Sequence, residues 1–382
     1  MIEAHSDTSA LGLYVHFPWC IKKCPYCDFN SHPLKAGTDQ VVYLDALLGD
    51  WRQQYGSFGK ARIAQTNTGQ IESIFFGGGT PSLFKPQHLA RLLEEVPHQG
   101  AEITLEVNPG TAEYHRFEDY QDAGINRLSI GAQSFSNAQL ARLGRVHQRD
   151  ETISAIAKAR QAGFSNINLD IMWGLPGQSV AEALQDLRQA IQLQPQHISW
   201  YQLTIEPKTE FAGRPPILPV DRVLQEIEQA GLALLAEAGF QRYEVSAFAR
   251  TGYQCQHNLV YWSFGDYMGI GAGAHGKITQ GPKIYRTQRP SQPRLYQQES
   301  QTTKLTEIPQ TQRTIEFMMN ALRLLDGVTQ QSFAERTQLP WQSVSQVWQE
   351  LVDLELVRHD RCATTALGLR YLDSVLERFL EA

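Results

Sequence analysis

Apolar and polar positions in this chain switch between two periods. Residues 11–17 form a short apolar run, the mark of a buried strand, and residues 39–55 then place Val41, Leu44, Leu47, Leu48 and Trp51 at helical spacing. A second strand pattern covers 71–76. The beat repeats: helix 86–95 leads to strand 102–107, helix 112–123 to strand 127–130, and helices from 138 and over 151–162 to strand 167–172. Helix 180–193 precedes strand 198–204, and helix 221–238 precedes strand 243–246. Such alternation predicts right-handed βαβ units, an α/β fold in which residues 1–246 build a partial (β/α)6-type parallel barrel.

From about residue 247 the rhythm breaks. Residues 247–310 read as an α+β extension with a linker: Gln254 to Trp262, then the glycine-rich run from Gly269 to Gly276, then a polar, proline-containing stretch over 287–306. Gly271, Gly273 and Gly276 match GxGxxG, but residues 277–282 make a poor helix start and no acidic residue stands at a strand end downstream, so a dinucleotide fold is rejected. Residues 311–382 predict helices at 312–325, 330–336 and 341–354, a small hairpin over 356–364 and a last helix, an order that resembles a winged helix.

Composition narrows the function classes. The 382 residues are 42% hydrophobic and 19% charged, as in ordinary globular proteins. A net charge of −6 argues against a dedicated nucleic-acid binder. Residues 328–382 repeat the point, with five arginines against eight acidic residues, so the winged-helix-like unit is not expected to bind nucleic acid. No run of about 18 apolar residues exists, and the first ten residues lack the basic and apolar regions of a signal peptide, so a reducing, cytoplasmic setting is expected.

Three of the five cysteines fall in one loop. Cys20, Cys24 and Cys27 stand at CxxxCxYC spacing directly after the first strand. A structural zinc site wants four ligands and the second pair is missing; His16 precedes Cys20 within the strand run, where its side chain need not point the same way. A disulfide framework is disfavoured by so few cysteines and no secretory signal. A 4Fe-4S cluster held by three thiolates would leave one iron open to a small molecule. The other unusual residues, Gly77 to Thr80, Glu106, Gln133 and Asp170, lie at or just beyond the carboxyl ends of predicted strands, the face where barrel active sites converge.

Taken together, the cysteine loop with Tyr26, Gly77-Gly-Gly-Thr-Pro81, Glu106-Val-Asn-Pro109, Gly131-Ala-Gln133-Ser-Phe135, Leu143-Gly-Arg145 and Asn168-Leu-Asp170 resemble the radical S-adenosylmethionine (SAM) family of the oxygen-independent coproporphyrinogen III oxidases and their HemW-type relatives. The resemblance implies that Cys20, Cys24 and Cys27 hold a 4Fe-4S cluster, with Tyr14 packed near it. It implies that SAM chelates the open iron, and that Gly78, Gly79 and Thr80 meet its amino group or a second SAM. Glu106, Gln133, Arg145 and Asp170 would line the nucleoside pockets, where a carboxylate can accept from ribose hydroxyls and Arg145 can fork onto a carboxylate.

One departure separates two function classes. The oxidases carry a further cysteine two positions after the third cluster cysteine; here that position is Phe29. Phe29 and the stretch His257-Asn258-x-x-Tyr261-Trp262 resemble the HemW-type group, whose members are taken to bind haem and pass it to acceptor haemoproteins such as respiratory cytochromes. His257 is then the expected haem ligand, with His275 and Cys255 as rivals and a capping or core role for His257 as the plain alternative. Peripheral membrane contact and a homodimer are expectations of the family alone. The competing class is a radical SAM enzyme that decarboxylates a porphyrinogen.

Overall fold

The computed structural model describes residues 10–35, 37–111, 115–298 and 303–380. Six strands follow the predicted beat: β1 (Leu11–Phe17), β2 (Ser73–Gly78), β3 (Glu102–Val107), β4 (Arg127–Gln133), β5 (Ile167–Trp173) and β6 (His197–Gln202). Each pairs in parallel with the next. Their apolar runs are buried because helices cover the outer face, chiefly α1 (Gln40–Gln54), α2 (Pro86–Leu93), α3 (Phe117–Asp122), α4 (Asn137–Arg142), α5 (Arg149–Gln161), α6 (Val180–Gln192) and α7 (Asp221–Glu237). The helix predicted over 112–123 is α3 in its later part; residues 112–114 lie outside the described residues.

The alternation ends at β6. The strand predicted over 243–246 is β7 (Gln241–Glu244), which turns tightly into β8 (Ala247–Ala249); β8 pairs antiparallel with both β6 and β7. A connection of two residues cannot make a parallel crossover. On the other side, β9 (Asp266–Ile270) joins β1 in parallel, followed by the antiparallel strands β10 (His275–Gln280), β11 (Lys283–Gln288) and β12 (Lys304–Glu307). The sheet therefore runs β12-β11-β10-β9-β1-β2-β3-β4-β5-β6-β8-β7, open at both edges.

Residues 247–310 thus supply five strands to the barrel's own sheet. The stretch read as a polar linker over 287–306 contains the end of β11, the helix Pro293–Gln298 and the start of β12, and its Tyr296 is fully buried. Periodicity missed this because strands that face water on one side carry few apolar residues. The C-terminal residues pack around their own core of Phe317, Phe333, Trp348, Leu351 and Phe379. The predicted hairpin is reduced to single bridges, Val357 with Thr364 and Val328 with Cys362, and the last helix is broken into Ala366–Arg370 and Leu372–Glu377.

Gly231 shows how closely helix and sheet fit. It lies in α7 against the buried Trp200 of β6, and a Cβ there would run into the indole ring. Alanine in a helix interior is worth up to about 1 kcal/mol over glycine, whereas overpacking a fixed aromatic costs about 1–3 kcal/mol. Gly231→Ala is expected to lower the thermal unfolding midpoint, by calorimetry, despite its better helix propensity. An unchanged or raised midpoint would show that Trp200 yields.

Candidate functional site

The segment after β1 is fastened before it reaches its chemistry. Gly79 N–H donates to the Phe17 carbonyl (2.7 Å) and Thr80 N–H to that of Trp19 (2.8 Å), so the glycine turn at the end of β2 pairs with the chain leading to Cys20. A Cβ on Gly79 would lie 2.6 Å from the Trp19 oxygen, which is why the position demands glycine. Further on, His32 N–H donates to Pro18 (2.6 Å) and Leu34 N–H to Cys20 (2.8 Å). The Asn30 amide donates to the carbonyls of Ala272 (2.8 Å) and Ser291 (2.9 Å), tying the loop to the β9–β10 turn.

Cys20, Cys24 and Cys27 are free thiols at the carboxyl ends of the strands. With Gly78, Gly79, Thr80, Glu106, Gln133, Arg145 and Asp170 they line one cavity of about 380 Å³. Residues scattered over some 150 positions of chain have become a single wall.

Each side chain has a local reason for its place. The Thr80 hydroxyl lies 3.5 Å from the Cys20 sulfur, and Ser31 lies 3.8 Å from that of Cys27. Arg145 donates to the Gly131 carbonyl (2.9 Å) and reaches within 3.8 Å of the Cys24 sulfur, leaving its buried Nε without a partner. Gln133 ends β4 with a left-handed backbone (φ 65°), uncommon for a residue other than glycine, and accepts from the Tyr201 hydroxyl at 2.6 Å.

The acidic residues sit deeper. Glu106 is second to last in β3, but Asp170 is in the middle of β5, not at its end as the sequence pattern placed it, so it reaches the cavity from inside the barrel. Burial first, then the neighbouring Asp170 charge, push the Glu106 carboxyl up to about 8 against the opposing hydrogen bond from Gly78 N–H (3.0 Å). At neutral pH Glu106 is therefore protonated. Asp170 is also raised by burial, opposed by hydrogen bonds from Asn168 (2.8 Å) and Ser129 (3.0 Å). Behind it the file continues: His197 Nδ1 donates to Asn168 Oδ1 (2.6 Å) and its Nε2 accepts from the Tyr243 hydroxyl (2.9 Å).

Two expected residues stand outside this wall. Tyr14 lies behind the glycine turn, where a Cβ on Gly77 would come 2.9 Å from its ring, and its hydroxyl donates to His16 Nδ1 (3.0 Å). His16 Nε2 in turn donates to the Asn30 carbonyl (2.8 Å). His16 is thus a strut of the cysteine loop with both ring nitrogens committed.

His257 is the larger correction. It lies at the opposite end of the barrel, packed on Gly12 and stacked on Phe75 with ring centres 5.3 Å apart. One ring nitrogen bonds the Ser73 hydroxyl and the other that of Tyr261, both at 2.9 Å, and the residue is 2% exposed. Burial, then Arg127, push its pKa down to about 3. The HNxxYW pattern is the docking face of the helix Gln256–Trp262, in which His257 and Tyr261 bond each other one turn apart. Cys255 is buried beside Glu102 and pushed up to about 12. Tyr201, Ser129 and Met172, also in the cavity wall, carry no motif; only their inward register on strands could have marked them.

Comparison with known proteins agrees with the cavity. The model of the radical SAM superfamily matches residues 14–190, and that of the HemN C-terminal domain matches 308–362. A protein of Haemophilus influenzae named heme chaperone HemW is 47% identical over 97% of this chain and 98% of its own length. One of the same name from Escherichia coli is 46% identical with the same coverage. The solved structure of coproporphyrinogen III oxidase (HemN) from Escherichia coli shares the fold, with a TM-score of 0.77 at 22% identity over 98% of this chain and 91% of that one. Identity near one half, held over nearly all of both chains and joined to a superfamily match that takes in every cysteine of the loop, means that the chain belongs to the HemW family of the radical SAM superfamily.

Proposed function

We propose that this chain is a cytoplasmic haem chaperone, which binds haem and passes it to acceptor haemoproteins while carrying a 4Fe-4S cluster and SAM. The observation that supports this most is the near full-length identity to relatives named heme chaperone HemW. Respiratory cytochromes are the acceptor class to try first; membrane contact and a homodimer have no described residues pointing to them.

The donor set fits the cluster. Three free thiols line one cavity wall; a closed zinc site takes four ligands, whereas a cubane held by three thiolates offers each its own iron. Burial raises the Cys20 and Cys27 thiols, so iron must displace their protons on binding. When bound, the cluster and SAM supply one-electron chemistry. The chain's own part is to hold: Cys20, Cys24 and Cys27 take the irons, and the Arg145 guanidinium, whose Nη1 reaches Cys24 (3.8 Å), adds positive charge beside it. Gly78 and Gly79 let the SAM amino acid approach the backbone. Glu106, Gln133 and Asp170 accept from its ammonium and ribose, and Tyr14 acts from behind through His16.

Two measurements test this reading. The anaerobically reconstituted chain is expected to bind haem saturably, followed at the Soret band, and to give it up to an apocytochrome. Turnover of coproporphyrinogen III with SAM and reductant, without haem binding, would sink the chaperone reading in favour of a radical enzyme on the same pocket.

The second uses Glu106. Its folded pKa lies above the unfolded value, so the folded state holds the extra proton and loses stability as pH rises through about 8. Glu106→Gln is expected to flatten the fall of the unfolding midpoint between about pH 4.5 and 8. It should also weaken SAM binding by roughly tenfold, the loss of one charge-assisted hydrogen bond. A variant as pH-sensitive as the parent would remove Glu106 from this role.

A further inference from the structure

With His257 committed elsewhere, the haem-binding reading lacks an iron ligand, and this inference rests on that reading. Among the described residues two histidines are exposed, His275 and His359. His359 stands in the C-terminal unit among Glu355, Asp360 and Arg358, and that arginine is already paired with Asp360 (3.0 Å), so the balance there disfavours haem propionates. The larger cavity, about 800 Å³ at the amino-terminal ends of the strands, has room enough. It is lined by Glu72, Glu102 and Asp326 against the single cation Arg361, and it contains no His, Cys or Met. Its Tyr243 hydroxyl is already bonded to His197 (2.9 Å) and to Cys255 N–H (3.3 Å), and the cavity's charge does not suit a dicarboxylate.

His275 is placed differently. β9 runs parallel to β1 and ends at Ile270, so the turn after it, and His275 opening β10, stand at the same end of the barrel as the cysteine loop. The turn is rigid: Ala274 N–H donates to the Gly271 carbonyl (3.0 Å) and Arg289 N–H to that of Ala274 (2.9 Å). Asn30 docks on Ala272 at 2.8 Å. Phe29 precedes that contact by one residue and His275 follows it by three, which places His275 within about 11 Å of it along the chain. Phe29 is 59% exposed and lies on the rim of the cluster cavity with exposed Ile21 and Lys22. An exposed phenylalanine on a cavity rim suits a flat apolar ligand, and the Lys22 ammonium suits a carboxylate; Asp28 shares the rim, and the Lys23 ammonium is held by the Phe29 carbonyl (2.9 Å).

We propose that haem docks on this rim, with His275 as its axial ligand, Phe29 and Ile21 against the macrocycle and Lys22 toward a propionate. The His275 ring makes no hydrogen bond among the described residues, so a nitrogen is available. Partial desolvation of the ring and the nearby Arg286 lower its pKa, which favours the neutral imidazole, the form that binds iron. Haem and cluster then share one face of the barrel.

Ferric haem titrations of the reconstituted full chain test this through the Soret band and the electron paramagnetic resonance of the bound iron. His275→Ala, an exposed position that should leave the unfolding midpoint in place, is expected to weaken haem binding by tenfold or more and to change the iron's spectrum. Added imidazole is expected to restore both. His257→Ala and His359→Ala are expected to keep the parent spectrum, although the former should unfold at lower temperature because Ser73 and Tyr261 lose their partner. Unchanged binding and spectrum in His275→Ala would overturn this assignment alone. Absence of saturable haem binding by the parent chain would overturn the chaperone reading and this assignment together.

Discussion

Everything chemical in this protein depends on the pairing of a glycine turn with the chain that leads into the cysteine loop. Gly79 and Thr80 donate to the carbonyls of Phe17 and Trp19, prolonging the β1–β2 ladder past the point where the regular strands end. A side chain at Gly79 would break that approach. His16 and Asn30 brace the same loop from inside and from the β9–β10 turn. Three cysteines that would otherwise lie on a free loop are held against the sheet, facing Arg145 and the ends of β3 and β4.

The barrel's interior divides the work by depth. Near the mouth the groups are thiols, glycine backbone and a buried guanidinium; deeper in lie the carboxyls of Glu106 and Asp170, then Asn168, His197 and Tyr243. Burying two carboxyls side by side is unfavourable in the free protein, and Glu106 answers by staying protonated. A cationic ligand such as SAM changes that balance, so the discomfort of the free site is matched to what it would hold. The opposite end of the barrel is structural: His257, Tyr261 and Trp262 seat a helix under β1 and β2, and Arg323 stacks over Trp262 at 4.3 Å from the C-terminal side.

Much of this was legible in the sequence. Six parallel strands announce themselves by apolar runs separated by helical periods, because a strand covered on both faces carries a near-continuous apolar run, broken here only where polar groups are satisfied or line the cavity. The cysteine spacing and the glycine turn are local, and chemistry that depends on neighbours in the chain survives being read as a string. Of the remaining strands, β10 to β12 carry mixed or polar residues along exposed faces, so periodicity took part of them for a linker, and it took the short β7 for another parallel unit.

The sequence by itself thus determined the α/β alternation, the cysteine loop and the set of polar residues that cluster around it, since each follows from composition and spacing within a short window. Only the tertiary structure decided the depth of Asp170, the part of Tyr201 in fixing Gln133, and which end of the barrel each histidine occupies. His257 and His275 are 18 residues apart and both lie in suggestive motifs. One is sealed at the amino-terminal end with both nitrogens bonded, and the other is exposed at the end where the cysteine loop lies. The reason is strand direction: β9 carries the chain from one end of the sheet to the other between them, a fact that belongs to long-range pairing with β1 and leaves no mark on local sequence.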